Sequence, residues 1–166
     1  MYPCPCGHFG DTQKACTCAP AVVAKYQKRI SGPLLDRIDI HIEEPRVDYE
    51  KLSGDRMGES SESIRQRVQA ARDIQRQRFT NHSITQSPDI VCNADMRLGE
   101  IRRFCRLQDE GQRLMRAAMT QLNLSARAYH RILKLARTIA DLAGSEEIQS
   151  VHLAEALQYR PKLMLI

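Results

Sequence analysis

The chain has 166 residues, of which 42% are hydrophobic and 27% charged, a composition typical of one folded domain or two small ones. This balance excludes a purely disordered tail. The formal net charge is +5, but residues 1–50 carry six Lys/Arg and seven Asp/Glu, whereas residues 51–166 carry nineteen and thirteen. Nineteen of the 25 cationic side chains are arginine, which suits contact with phosphate or carboxylate. The basic second part therefore permits contact with nucleic acid or nucleotide.

No apolar run approaches the roughly 18 residues that a bilayer span requires. The N-terminus also lacks the basic and apolar regions of a signal peptide. We therefore predict a cytoplasmic protein with no membrane partner. In that compartment, six cysteines favour a metal site over a disulfide framework.

Four of the cysteines form two close pairs near the N-terminus, separated by a loop that contains Gly7 and Gly10. Tetrahedral zinc needs four such soft ligands, and glycines allow a short loop to turn their sulfurs inward. The predicted ligands of a structural Zn²⁺ are Cys4, Cys6, Cys16 and Cys18. The alternatives are reduced surface thiols, or His8 in place of one ligand. The one-residue spacing within each pair is less usual in zinc ribbons than a spacing of two.

After the cysteine loop, the pattern predicts a helix from Ala21 to Ile30 that ends at Ser31-Gly32-Pro33. Residues 38–43 then alternate isoleucine with polar residues, as a half-buried strand does. The sequence predicts no other convincing strand, and a lone strand cannot pair its own backbone groups. We therefore predict that this is the last strand of a larger α/β domain, of which the chain holds the C-terminal portion.

Residues 53–61, rich in Gly and Ser, predict a linker, and the sequence beyond them is helical throughout. The first predicted helix follows cap residues 60–63 and runs to about residue 79, and further helices are predicted at about 95–105, 109–122, 125–143 and 150–158, with a polar loop at 81–88. The longest has Ser125 as its N-cap and Gly144 as its stop. Its predicted buried face comprises Ala128, Ile132, Leu135, Ala136, Ile139 and Leu142. Cys92 and Cys105 are predicted to be small core residues.

Four longer motifs identify a family. They are Cys4-Pro-Cys-Gly, Ile30-Ser-Gly-Pro-Leu-Leu-Asp-Arg-Ile-Asp-Ile40, Gly58-Glu-Ser-Ser61, and Leu124-Ser-Ala-Arg-Ala-Tyr-His-Arg-Ile132 with Ala136-Arg-Thr-Ile-Ala-Asp-Leu-Ala-Gly144. With them, residues 1–159 resemble the YifB/ComM family of magnesium-chelatase-like AAA+ ATPases. The resemblance implies a mainly α chain, the C-terminal helical lid bundle of an AAA+ protein together with the last strand and a cysteine-rich loop of its α/β core. The implied domains are a core remnant at 1–50, a linker at 51–60 and the lid at 61–166.

The same resemblance implies roles for two arginines. In Leu34-Leu35-Asp36-Arg37, Arg37 matches the arginine finger, which neutralises charge on the γ-phosphate bound by a neighbouring subunit. In Leu124-Ser-Ala-Arg127, Arg127 matches sensor 2, a lid residue that contacts ATP phosphate. ATP and Mg²⁺ would then be held by the full-length protein in a homo-oligomeric ring, usually a hexamer, and DNA is the expected partner through the family's link to competence.

The sequence also departs from the family pattern. Tyr2 stands where the family has the sensor 1 asparagine, and no Gly-x-x-x-x-Gly-Lys-Ser/Thr motif or apolar run ending in Asp-Glu occurs. We therefore expect this chain alone to be inactive as an ATPase. A non-enzymatic zinc-bearing adaptor for nucleic acid or protein is the alternative, although three Phe, five Tyr and no Trp offer little base stacking. Nothing in the residues supports magnesium insertion into a porphyrin.

Overall fold

The computed structural model describes residues 2–42, 44, 47, 49, 53–54, 58–81 and 90–160, with the side chain of Asn81 left out. They divide into two compact units that meet in sequence at Ile38 and Asp39. Within these ranges, no helix combines the length and the apolar character needed to cross a membrane.

The first unit contains the cysteine loop and two helices, α1 (Pro20–Gln27) and α2 (Gly32–Leu35). Proline is favourable in the first turn of α1 because the N–H it lacks has no partner within a helix there. Val23 is buried, and Gln27 Nε2 donates to the Pro3 carbonyl at 3.2 Å, which ties α1 to the cysteine loop. The helix predicted at 21–30 is confirmed with a shorter C-terminal end, whereas the single turn of α2 was not predicted.

The strand predicted at residues 38–43 is not confirmed in the part described. Residues 38–42 form no strand, and residue 43 lies outside the described ranges. Ile40 and Ile42 remain 49% and 74% exposed, and the N–H of His41 donates to the Tyr159 carbonyl at 2.8 Å. The physical reason is the one anticipated from the sequence: a strand needs neighbouring strands, and the described chain offers none to residues 38–42.

The second unit is helical, so the prediction of a mainly α chain with a helical bundle is confirmed. Its α-helices in residues 61–160, apart from the gap at 82–89, are α3 (Ser61–Asn81), α4 (Leu98–Phe104), α5 (Asp109–Gln121), α6 (Ala126–Leu142) and α7 (Ser150–Gln158), and a short 3₁₀ helix spans Asn93–Asp95. The predicted loop at 81–88 lies beyond the described ranges after Asn81, as does much of the predicted linker.

Helix α6 lies at the centre of this unit and packs against α3, α4, α7 and the 3₁₀ helix. As predicted, Ser125 caps it, because the Ser125 hydroxyl accepts a hydrogen bond from the Ala128 N–H at 3.1 Å. Gly144 follows the helix with φ of +66°, a conformation that glycine adopts without steric cost. The buried core comprises Met96, Ile101, Cys105, Met115, Ile132, Leu133, Ala136, Ala140, Ile148, Leu153 and Ala156.

Two predictions about burial need correction. Leu142, assigned to the buried face of α6, is 40% exposed, whereas Arg137 and Asp141, on another side of the same helix, are buried. Cys105 is buried as predicted, whereas Cys92 is only half-buried and its thiol donates to the carboxylate of Asp95 at 3.2 Å.

Candidate functional site

The structure brings the four predicted metal ligands together. The sulfurs of Cys4, Cys6, Cys16 and Cys18 all lie within 4.8 Å of one another. The Cys4 sulfur lies 3.3 Å from that of Cys6 and 3.7 Å from that of Cys16, and the latter two are 3.5 Å apart. A tetrahedral zinc ion with Zn–S bonds of about 2.3 Å has sulfurs about 3.8 Å apart. The cluster therefore has nearly the dimensions of a tetrahedral thiolate site.

The backbone of the loop explains how the sulfurs converge. Gly7 and Gly10 have φ of +81° and +83°, and the Gly7 N–H donates to the Cys4 carbonyl at 3.0 Å to close a tight turn. Side chains other than glycine adopt such angles only with strain. His8 stays outside the cluster, since its Nδ1 lies 3.4 Å from a carboxylate oxygen of Asp11.

Protonation of the thiols is uneven. The backbone N–H of His8 donates to the Cys6 sulfur and, together with the Cys4 thiol, lowers the pKa of Cys6 to about 5. At Cys16 the hydrogen bond from the Cys18 backbone also lowers the pKa, but burial and the neighbouring thiols outweigh it and raise the value to about 12. One sulfur is therefore a thiolate at pH 7, and a cation bound by all four displaces protons from the others. This donor set fits a soft divalent metal ion.

Arg37 lies in the first unit, in an exposed turn that follows α2. Its N–H donates to the Leu34 carbonyl at 3.0 Å, and the Asp36 N–H donates to the Gly32 carbonyl at 2.9 Å. These bonds shape the turn at the end of α2. Arg37 thus lies in a hydrogen-bonded turn that is exposed at the surface of the first unit.

Arg127 lies in the second unit, where it is the second residue of α6, and it is exposed. The Ser125 cap fixes the start of α6, whose N-terminal N–H groups and aligned peptide dipoles favour an anion. Arg127 therefore adds a positive side chain to a positive helix end.

A buried charged network in the second unit was not predicted. Arg78 Nη1 donates to Asp141 Oδ2 at 2.8 Å, and its Nη2 donates to Oδ1. Arg137 Nε donates to Asp141 Oδ1 at 3.1 Å, and its two terminal nitrogens donate to backbone carbonyls of the α6–α7 loop at 2.8 and 2.6 Å. The amide of Asn93 donates to Asp141 at 2.7 Å. Burial lowers the pKa of Arg137, and the neighbouring Asp141 carboxylate offsets only part of this lost solvation.

The motif around Arg127 makes two further contacts. Arg131 Nη1 lies 3.0 Å from Asp39 Oδ1, and this pair holds the start of the second unit against α6. Tyr129 packs against the core and meets the ring of His130 edge-on at 5.3 Å between centroids. The sequence assigned no chemistry to Arg131, and its role here is to hold Asp39.

A pocket of about 550 Å³ opens between α3, the α4–α5 connection and the α6–α7 loop. Its charged lining residues are Arg78, Arg103, Arg106, Arg137, Glu146 and Glu147. Arg127 is not among them, so this pocket is separate from the predicted sensor 2 residue.

Two family models match successive parts of the chain. A family model described as magnesium chelatase, subunit ChlI C-terminal, matches residues 58–160, and a model for magnesium chelatase, subunit ChlI, matches residues 1–52. The Competence protein ComM of Haemophilus influenzae is 41% identical over 168 residues, covering 100% of this chain and 30% of its own length. The YifB proteins of Escherichia coli and Salmonella typhimurium are 40% and 37% identical over 161 residues, covering 96% of this chain and 29% of each relative.

Residues 58–160, which contain the helical bundle, match the C-terminal magnesium chelatase model. Proteins of that family are AAA+ proteins. The chain belongs to the YifB/ComM magnesium-chelatase-like family. It spans 29–30% of the length of these relatives.

Proposed function

We propose that this chain is the C-terminal part of an ATP-driven AAA+ ring motor that remodels DNA. The observation that carries the proposal is the family match across both parts of the chain, 1–52 and 58–160, each of which contains one of the two arginine motifs. The proposed activity is a helicase-like branch migration linked to competence, with ATP and Mg²⁺ bound between subunits of a homo-oligomeric, hexameric ring. DNA is the partner, and the protein works in the cytoplasm.

In this proposal Arg37 is the arginine finger. A guanidinium delivered by a neighbouring subunit neutralises charge that develops on the γ-phosphate during hydrolysis. The exposed turn after α2 supports this role, because a finger has to reach beyond its own subunit.

Arg127 is the sensor 2 residue in the same proposal. Its position in the first turn of α6 supports contact with nucleotide phosphate, since the helix end and the side chain then attract the same anion. Binding of ATP would in this way be transmitted to α6, the central helix of the bundle.

Full-length protein provides the test of the motor. We expect ATP hydrolysis that duplex or branched DNA stimulates. The alternative is a non-enzymatic zinc-bearing adaptor, which the compact cysteine cluster and the basic residues 51–166 favour. Such an adaptor would bind its partner without hydrolysing ATP. DNA binding in the absence of any ATPase activity would therefore replace the motor with the adaptor.

The 166-residue chain alone is expected to show no ATPase activity above background, because it contains neither a phosphate loop nor a magnesium-binding Asp-Glu motif. Phosphate release from purified chain, with the full-length protein as the positive control, measures this. Turnover by the pure chain would mean that some other part of it binds and activates ATP.

The cysteine cluster is proposed as a structural zinc site, with one ion per chain. Metal analysis should find about one zinc per wild-type chain and almost none in a Cys16→Ser, Cys18→Ser variant, because two ligands cannot complete the tetrahedron. The Cys92→Ser variant is the matched control, since Cys92 lies outside the cluster. Equal zinc in the double variant and the wild type would exclude the cluster as the site.

A further inference from the structure

Helix α3 extends beyond the bundle in the described part of the chain. Each of the ten residues from Ser61 to Ala70 is exposed, and burial begins only at Ala71 and Gln75. About the first half of α3 therefore has exposed side chains on every side, with Ile64 and Val68 at 41% and 44% exposure. From outside the helix, Glu59 bonds to Ser63 and Arg67, and most of the surface of this segment is accessible to a partner.

One side of α3 carries what we call the arginine stripe, defined as Arg65, Gln69, Arg72 and Arg76. Steps of four, three and four residues keep these side chains on one face of a helix. All four are exposed. The whole helix contains five arginines, no lysine and two acidic residues.

Part of the positive charge on the stripe is not neutralised. Arg76 pairs with Asp73 at 3.2 Å, and the same carboxylate accepts from Gln69 at 2.9 Å. Among the described residues, Arg65 and Arg72 form no ion pair with a carboxylate. Two guanidinium groups with free hydrogen-bonding forks thus lie about 10 Å apart along the helix.

We propose that the arginine stripe docks on the phosphate backbone of duplex DNA. The inference rests on the proposed function in taking DNA as the partner, and it adds the surface that meets it. The stripe covers eleven residue steps, about 16 Å, in which one DNA strand places about five phosphates. The whole of α3 measures about 31 Å, close to one turn of the duplex.

Other anionic partners fit the helix less well. A membrane surface requires a substantial apolar face, but the projecting half of α3 offers only Ile64 and Val68 as large apolar side chains, at 41% and 44% exposure. Single-stranded nucleic acid is bound by stacking on aromatic rings. Phe79 and Phe104 instead pack edge-on against each other at 5.8 Å. Arginine contacts to duplex phosphates need neither feature.

The experiment measures binding of the 166-residue chain to a random-sequence duplex of 30 base pairs by fluorescence anisotropy across a salt series. The Arg65→Gln, Arg72→Gln variant is compared with Arg113→Gln, Arg116→Gln, which removes two exposed arginines from α5 and alters the net charge equally. Circular dichroism confirms that both variants retain their helices. ATP is absent, so failure of the proposed ATPase activity leaves this measurement unaffected.

The stripe variant should bind at least about tenfold more weakly at low salt, and the slope of log K against log salt should fall by about 2, because two phosphate contacts are lost. The α5 variant should keep most of the affinity and the slope. Equal losses in both variants would mean that net charge alone attracts DNA and would overturn the proposal. The proposal would also be overturned if the stripe variant lost binding to phosphatidylserine vesicles but kept its DNA binding. Failure of the wild-type chain to bind duplex DNA at low salt would overturn it as well.

Discussion

Replacing Arg37 with alanine in the full-length protein should slow ATP hydrolysis by about 10³–10⁵-fold, the range found for arginine fingers in well-studied nucleotide hydrolases. Affinity for ATP should change only a few-fold. The reason is that the guanidinium interacts mainly with charge that grows in the transition state and contributes little to the ground state. Steady-state turnover and a separate nucleotide-binding titration distinguish the two effects.

Two variants control this result. Arg37→Lys should recover only part of the rate, because an ammonium cannot reproduce the planar, two-pronged donor. Arg29→Ala removes another exposed arginine of the first unit, one that lies over the Tyr26 ring at 5.2 Å, and it should hydrolyse ATP normally. If weaker ATP binding accounted for the whole loss of rate in Arg37→Ala, Arg37 would act in the ground state, and this would contradict its assignment as an arginine finger.

Replacing Asp141 with alanine should have the largest effect on stability, a loss of about 3–5 kcal/mol in the free energy of unfolding. Asp141 is 2% exposed, and both Arg78 and Arg137 donate to its carboxylate. Without the carboxylate, two guanidinium groups remain at the edge of the core with only neutral partners. Urea denaturation of the 166-residue chain, followed by circular dichroism, measures the change.

The Glu110→Ala variant serves as the control for Asp141, since it removes an exposed carboxylate from the first turn of α5. Its stability should change by less than about 1 kcal/mol. A comparably small loss for Asp141→Ala would mean that water solvates the two arginines and that the network contributes little to folding.

Local signals allowed the helices to be predicted closely. The longest predicted helix, 125–143, is observed at Ala126–Leu142, and the last one, 150–158, has the predicted bounds. The signals that define a helix are local in sequence: the amphipathic pattern lies within it, and the Ser125 cap and the Gly144 stop lie directly beside it. The cysteine cluster was predictable for the same reason, because four ligands in fifteen residues can converge only within one short loop.

Contacts between distant segments could not be predicted in this way. In the sequence, Arg137 and Asp141 occupy polar positions of a helix, which predict exposure. The Asp141 carboxylate is buried because Arg78, 63 residues earlier in the chain, donates hydrogen bonds to it. The strand predicted at 38–43 is not confirmed for a related reason, since its pattern suits a strand but pairing depends on segments that the described chain does not supply.

A mixing experiment tests most directly whether this chain is part of a ring motor with its finger in trans. Full-length Arg37→Ala subunits are mixed with full-length subunits whose phosphate loop is disabled, neither of which should hydrolyse ATP alone. In a mixed ring, some interfaces pair an intact ATP pocket with an intact Arg37, so ATPase activity should reappear in proportion to those interfaces. Co-assembly demonstrated by mass photometry with no recovered activity would contradict a trans finger at Arg37 and, with it, the proposed mechanism of the ring.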